Sequence, residues 1–472
     1  DSAMAMRADG AGFAQRRRQA GQARRPAAII FDLAGARLQR AVYSDRQLEE
    51  VMTDFWFNHF NVFFGKNQDR YLTSAYEREA IRPHVFGKFR DLLGATAKHP
   101  AMLVYLDNAQ SMVPDSMNPN AGRLDAARRR FQSMTPEQRA EVLRRRGIDR
   151  EQAERMLAGG DSGLAARRRA RGINENYARE LMELHTLGVN GGYTQKDVIE
   201  VARALTGWTV DRGARRAAAG FEPSFIFRPA MHDPGEKTVL GHRLAAGRGV
   251  EDGEEVLDIL ARHPATARHI AFQLAQRFVA DDPPQSLVDR LAATFTRTDG
   301  DLREVTRALF LSPEFNDARY RQAKVKSPLE FVAGALRATG ADVGPSRAVL
   351  QALREMGEMP YAATPPTGYT NASAEWTNSG AMLNRMNFGL SLAAGRIDGV
   401  RLDEQRFAPV LAAGAADAQV AALARMVMPG SDDAQLFRTV AQDVSAQAQL
   451  DERQRAARAL GLLLGSPGFQ RR

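Results

Sequence analysis

Glu180 and Glu183 stand three residues apart in the run Asn174-Glu175-Asn176-Tyr177-Ala178-Arg179-Glu180-Leu181-Met182-Glu183-Leu184-His185-Thr186-Leu187-Gly188. A helix turns about 100° per residue, so Asn176, Glu180, Glu183 and Leu187 share one side, and Ala178, Leu181 and His185 the other. Two carboxylates one turn apart repel unless water, a cation or a shared proton intervenes, and sharing raises one pKa toward general-acid use. Arg179 offers the plainer structural answer, an ion pair with Glu183 at i+4. Asp107, which follows an apolar run, is a third carboxylate available as acid or base.

Other residue types add binding and metal chemistry. His59 falls on the stripe Leu48, Val51, Met52 and Phe55, so it points at the core and needs partners for its ring nitrogens. His185 sits near a helix C-terminus, where the dipole favours its protonated form. His232 and Asp233 fall on a turn, a place that presents a His-carboxylate pair as readily as it serves the backbone. Trp208 and Trp376 accompany Thr, Asn and Gly residues and Trp56 lies near His59 with Asn58, and a tryptophan face beside carboxylates is what a sugar ring packs against. Asn58 and Asn176 supply polar contacts to the same subsite.

Several chemistries are excluded. With no cysteine, disulfides and thiolate nucleophiles are absent and any metal must rest on His, Asp or Glu. No P-loop, Gly-rich dinucleotide turn, His-Glu-x-x-His helix or Gly-x-Ser-x-Gly elbow is present. The Glu-x-x-His pair of a di-iron bundle is missing too, since Glu180 and Glu183 precede His185 by five and two residues. No cofactor is specified.

The formal charge of +9 invites a nucleic-acid reading, but fourteen arginines crowd into residues 123–171 with Phe131 as the only aromatic among them. Base stacking is therefore disfavoured and no specific nucleic acid is expected. No apolar run approaches the ~18 residues of a membrane span, and the mean hydropathy of −0.39 agrees with a soluble chain.

The elements that must position these groups are helices. Ser44 with Gln47 reads as a capping box for a helix reaching toward Gly65; Asn174 caps residues 175–187, and Thr194 caps the next. Thr135, Pro136 and Gln138 read as N-cap, N1 and N3 of another. His263-Pro264 and Pro328 open later helices, with buried stripes from Ala267 to Phe278 and from Phe331 to Leu336. Residues 224–228 and 237–240 flank Asp233-Pro234-Gly235 and form the one β-hairpin expected. Ala308-Leu309-Phe310-Leu311-Ser312-Pro313-Glu314-Phe315 echoes Leu462-Leu463-Leu464-Gly465-Ser466-Pro467-Gly468-Phe469, each a helix end with a Ser-Pro stop. The expected fold is mainly α, a large multi-helix globular fold with one small β-hairpin near 224–240. It divides into a flexible basic segment 1–37, a first helical part 38–120, an Arg-rich insertion 121–172 and a remaining helical part 173–472. Beginning at Asp1 without an apolar signal core, the chain reads as processed or trimmed at its N-terminus.

The segments Phe55-Trp56-Phe57-Asn58-His59-Phe60-Asn61-Val62-Phe63, the Asn174 to Gly188 run and Ala204-Leu205-Thr206-Gly207-Trp208 together resemble the DUF1800 family of large bacterial proteins. The resemblance runs from about Leu38 to Arg472 and includes Ser466-Pro467-Gly468-Phe469-Gln470. It implies export to the periplasm or beyond and a DUF1501-type protein as partner. It also implies a helical region ahead of the Trp-Phe-Asn-His segment that this chain reads as lacking.

The leading expectation is an exported helical enzyme acting on a polysaccharide or glycan. Glu180 and Glu183, or Asp107, act as acid and base, and Trp56, Trp208 and His185 shape the sugar subsite, with no metal. One alternative is a metal-dependent redox or hydrolytic enzyme using His59, His185, His232, Glu180 and Asp233. The other is a non-catalytic partner of a neighbouring exported protein that docks on anionic polymer. Oligomeric state is not legible.

Overall fold

The computed structural model describes residues 26–113, 130–131, 133–145, 172–211 and 223–472. Most of the expected basic segment and of the Arg-rich insertion lies outside the described residues. Contacts divide the chain into two compact units, Asp1–Thr96 with Pro264–Arg472, and Ala97–His263. The sequence had suggested divisions near 120 and 173; instead the chain leaves the first unit after Thr96 and returns at Pro264.

The first unit is helical. Helix Pro26–Tyr43 occupies part of the stretch expected to be flexible and supplies a leading helix ahead of the Trp-Phe-Asn-His segment. Its Ala34, Leu38 and Val42 join Phe331, Leu336, Leu353, Phe388, Leu423 and Leu460 in one apolar core. Helix Pro328–Thr339 starts with a full capping box, Ser327 against Glu330, and ends at Gly340 with φ 66°. Helices Ser379–Ala393 and Glu452–Gly465 approach closely through small residues: a Cβ on Gly461 would lie 2.9 Å from the Leu390 Cα. The Ser44–Gln47 capping box does not form, because helix Gln47–His59 begins two residues later than that box requires, and it ends before Gly65. Ser44 Oγ accepts from the Arg46 N–H instead.

The Ser-Pro echo is structural. In both copies the serine hydroxyl donates back to a carbonyl, Leu309 or Leu463, at 2.7 Å. It also accepts from an N–H three residues on, Phe315 at 3.1 Å or Phe469 at 3.3 Å. One side chain thus closes the old helix and opens the next turn.

In the second unit, Asn174 caps helix Glu175–Glu183 and Thr194 forms a capping box with Asp197 ahead of Gln195–Ala204. Thr135 and Gln138 likewise bond reciprocally at the start of Pro136–Arg145. The expected hairpin is corrected: Ser224–Phe227 pairs with Trp208–Asp211, and Lys237–Val239 pairs with His242–Leu244. Leu240 and Gly241, both at positive φ (49° and 82°), make the two-residue turn that favours this local pairing. A third two-stranded piece in the first unit joins Asp342–Val343 to Val400–Arg401, and the fold is mainly α. Among the described residues no helix is long and apolar enough to cross a membrane.

Charge as well as apolar packing holds the first unit. Glu77, in a π-helical turn Tyr76–Ile81, accepts from Arg37 and Arg40 at 2.7 Å, Arg82 at 3.0 Å and the Tyr361 hydroxyl at 2.6 Å. Burial alone would push its carboxyl up, but the charges of Arg37 and Arg40 and the bonds from Tyr361 and Arg82 hold it at about 2. A carboxyl bound more tightly to its partners when ionised stabilises the fold above its ordinary value of 4.5 and loses that contribution as pH falls toward about 2. Glu77→Ala should cost about 3 to 5 kcal/mol, the usual cost of stranding buried cations, measured by urea unfolding at pH 7. Glu77→Gln should lose less stability than wild type between pH 4.5 and 2; equal losses in both would show that Glu77 is not the group responsible.

Candidate active site

Helix Gln47–His59 of the first unit carries Asp54, whose carboxylate is gripped by Arg37 at 3.1 Å and Arg277 at 3.2 Å. Glu358, just beyond helix Arg347–Glu355, is buried, and one of its oxygens accepts from the Leu329 N–H at 2.7 Å. Asp54, Asn58, Arg277, Glu358, Tyr369 and Asn371 line a common cleft. Its cavity is about 20 Å³, room for about one water.

The two carboxyl groups differ in environment. Burial pushes Glu358 up to about 7, and the charge of Asp54 adds to this against the Leu329 and Ser327 hydrogen bonds and the charge of Arg277. Asp54 faces two guanidinium groups, those of Arg37 and Arg277. Burial pushes the Tyr369 hydroxyl above its ordinary range, with Glu358 and Asp54 contributing.

The cleft wall is the loop 359–371, and the Trp-Phe-Asn-His segment holds it. Asn58 donates to the Tyr369 carbonyl and accepts from the Tyr369 N–H, both at 2.7 Å. Asn61 donates to the carbonyls of Ala363 and Pro365. Gly368, at φ 67°, passes so close to Asn58 that a Cβ would lie 2.4 Å from its side-chain oxygen. Tyr361 is held at φ 66°, a costly conformation for an aromatic residue. Its hydroxyl reaches Glu77, its carbonyl accepts from Phe64, and the Arg37 guanidinium lies 4.4 Å over its ring.

Most residues singled out in the sequence take other places. Trp56 and Trp208 are 0% exposed and Trp376 5%, so none presents a face to a sugar. Trp208 packs against Gly253, where any Cβ would meet the indole at 2.3 Å. His59 is buried against Phe55, Trp56 and Phe60, and His185 is buried at the end of its helix. His232 and Asp233 are buried rather than displayed on a turn. His232 Nδ1 lies 2.8 Å from the Thr206 carbonyl and its Nε2 3.4 Å from Asp252, which also binds the buried Lys237. Asp233 accepts from Arg203 and from the Gly235 N–H. Asn176 and Asp107 are exposed, Asp107 at φ 60°. The neighbouring Asn108 is buried and donates to the Leu205 and Trp208 carbonyls.

Glu180 and Glu183 do adjoin each other, both half-buried in the second unit. Burial raises Glu180, then the charge of Glu183, against Arg179. Glu183 accepts from Tyr193 at 3.1 Å, while Arg179 donates to Gln195 instead of forming the expected ion pair. Among the described residues no group of three His, Cys, Asp or Glu comes together to hold a metal, so the donor set His59, His185, His232, Glu180 and Asp233 does not assemble.

Of the sequence candidates, only Asn58 lines the first-unit cleft. Asp54, Glu358, Arg37 and Arg277 were missed. The available signal was polar Asp54, Asn58 and Asn61 at i, i+4 and i+7, one helical face; Glu358 carries no local signal.

No curated protein and no solved structure matches the chain. The family model for DUF1800, protein of unknown function, matches residues 2–471, and the chain belongs to that family.

Proposed function

We propose that the protein hydrolyses glycosidic bonds by carboxylate acid–base chemistry, with Glu358 as the proton donor and Asp54 as the base. The observation that carries this reading is a buried carboxyl protonated up to about 7 beside a second carboxylate gripped by two arginines, around a cavity for one water. An inverting glycosidase needs that set: an acid to protonate the leaving oxygen, and a base to take a proton from the water attacking the anomeric carbon. Burial keeps Glu358 neutral up to about 7 while Asp54 pairs with Arg37 and Arg277, so the two environments divide the roles.

The cavity admits water but not a sugar ring, so substrate entry requires the loop 359–371 to move from its asparagine latches. The family resemblance supports an exported location and a DUF1501-type partner.

The test is release of reducing ends from a panel of polysaccharides. Glu358→Gln should lower kcat by roughly 10² to 10⁴, the usual contribution of a positioned general acid, with unchanged circular dichroism; Glu180→Gln with Glu183→Gln should leave kcat intact. Because Glu358 must carry its proton, kcat/KM should decline as pH rises through about 7. Full activity of folded Glu358→Gln on a glycan that wild type cleaves, or no cleavage of any glycan by wild type, would sink this reading. Asn58→Ala, which unlatches the cleft wall without removing either carboxyl, should lower kcat/KM while leaving the alkaline limb where it is; a displaced limb would show that Asn58 acts on Glu358 itself.

A further inference from the structure

Helix Leu302–Phe310 buries Leu302, Val305 and Leu309. Its other face carries Arg303, Arg307 and Phe310 at i, i+4 and i+7, and that face borders a cavity of about 410 Å³ within the first unit. Leu48, at the start of helix Gln47–His59, and Phe86 complete the apolar lining with Phe310. The volume falls in the range of roughly 300 to 1,000 Å³ typical of small-molecule pockets, whereas the cleft around Asp54 and Glu358 holds about 20 Å³. Leu48 is 40% exposed, so part of this apolar lining stands in water.

The charge on the lining is of one predominant sign. The Arg303 guanidinium lies over the Phe86 ring, 5.5 Å from its centre; a guanidinium placed on a ring keeps its N–H edge for a planar oxyanion. Arg303 and Arg307 are exposed, and among the described residues neither forms an ion pair. The third arginine there, Arg46, is met by Glu49 at 3.7 Å, and Glu49 is met by Arg82 at 3.8 Å as well. Asp45 is the remaining carboxylate of the lining. Three arginines against two carboxylates leave it positive, with the two uncommitted cations on the same helix face as Phe310.

We infer that this cavity binds a small organic anion, a carboxylate or sulfonate on an aromatic or aliphatic body, with Arg303 and Arg307 on the acidic group and Leu48, Phe86 and Phe310 on the body. Water satisfies the guanidinium groups but leaves the leucine and the rings wet; a ligand with one acidic end and one apolar end pairs with the charge and removes apolar area from water together. This inference is independent of the hydrolytic reading, since it needs neither Asp54 nor Glu358.

Two measurements decide it. The aryl sulfonate 8-anilinonaphthalene-1-sulfonate, followed by its fluorescence, should bind the folded wild-type chain saturably and be displaced by 4-iodobenzoate. Arg303→Gln combined with Arg307→Gln should weaken that binding about tenfold or more, the usual effect of losing hydrogen bonds to a charged group, and Phe310→Ala should weaken it too. Because both arginines are exposed, the double variant should keep the wild-type circular dichroism; equal binding by that folded variant, or no saturable binding by wild type, overturns the inference. Crystals soaked in 4-iodobenzoate give the location directly. An anomalous iodine peak inside the cavity, with the carboxylate toward Arg303 or Arg307, is expected, and iodine found only elsewhere overturns the inference whatever the solution result.

Discussion

The acceptance of four hydrogen bonds by one buried carboxylate, Glu77, is the constraint on which the first unit turns. Three of the donors are guanidinium groups from separate places, Arg37 and Arg40 on the leading helix and Arg82 beyond the π-helical turn. The fourth, Tyr361, belongs to a loop far along the chain. Ionised Glu77 is the only species that satisfies all four, so the fold and the protonation state select each other. The π-helical turn is part of the device, because such turns shift side-chain direction and collect at sites with special demands.

From that anchor the cleft follows. Arg37 uses one amino group on Glu77 and the other on Asp54, so fixing the first carboxylate aims the second. Tyr361 is held in a strained backbone conformation by its bond to the same Glu77, and the loop that carries it is fastened again by Asn58 and Asn61. A strained residue persists only where its surroundings over-determine it, and here aromatic packing on Phe57, the Arg37 cation and the Glu77 bond all act on one side chain.

Much of the helical architecture was legible because its signals are local. Asn174, Thr194 with Asp197, and Ser327 with Glu330 each cap a helix through contacts within three residues, and the Ser-Pro echo at Ser312 and Ser466 is local in the same sense. The hairpin was misjudged because strand-like segments on either side of Asp233 find partners elsewhere: Trp208–Asp211 for one, and His242–Leu244 across the Leu240-Gly241 turn for the other. The tryptophans were misjudged because small and polar neighbours suggested wet surroundings. Gly253 is instead the space into which Trp208 packs. The carboxyl pair was invisible because Asp54 and Glu358 meet only through tertiary structure, whereas Glu180 and Glu183 advertise themselves by spacing alone.

The placement of the indoles has a spectroscopic consequence. The chain has three tryptophans; Trp56 and Trp376 are enclosed in one compact unit and Trp208 in the other. Intrinsic fluorescence therefore carries two separable signals, and a phenylalanine in place of Trp208 leaves an emission band that reports on one unit alone. Whether the two lobes lose their structure in a single cooperative event or one after the other can thus be followed by optical means, without an added label.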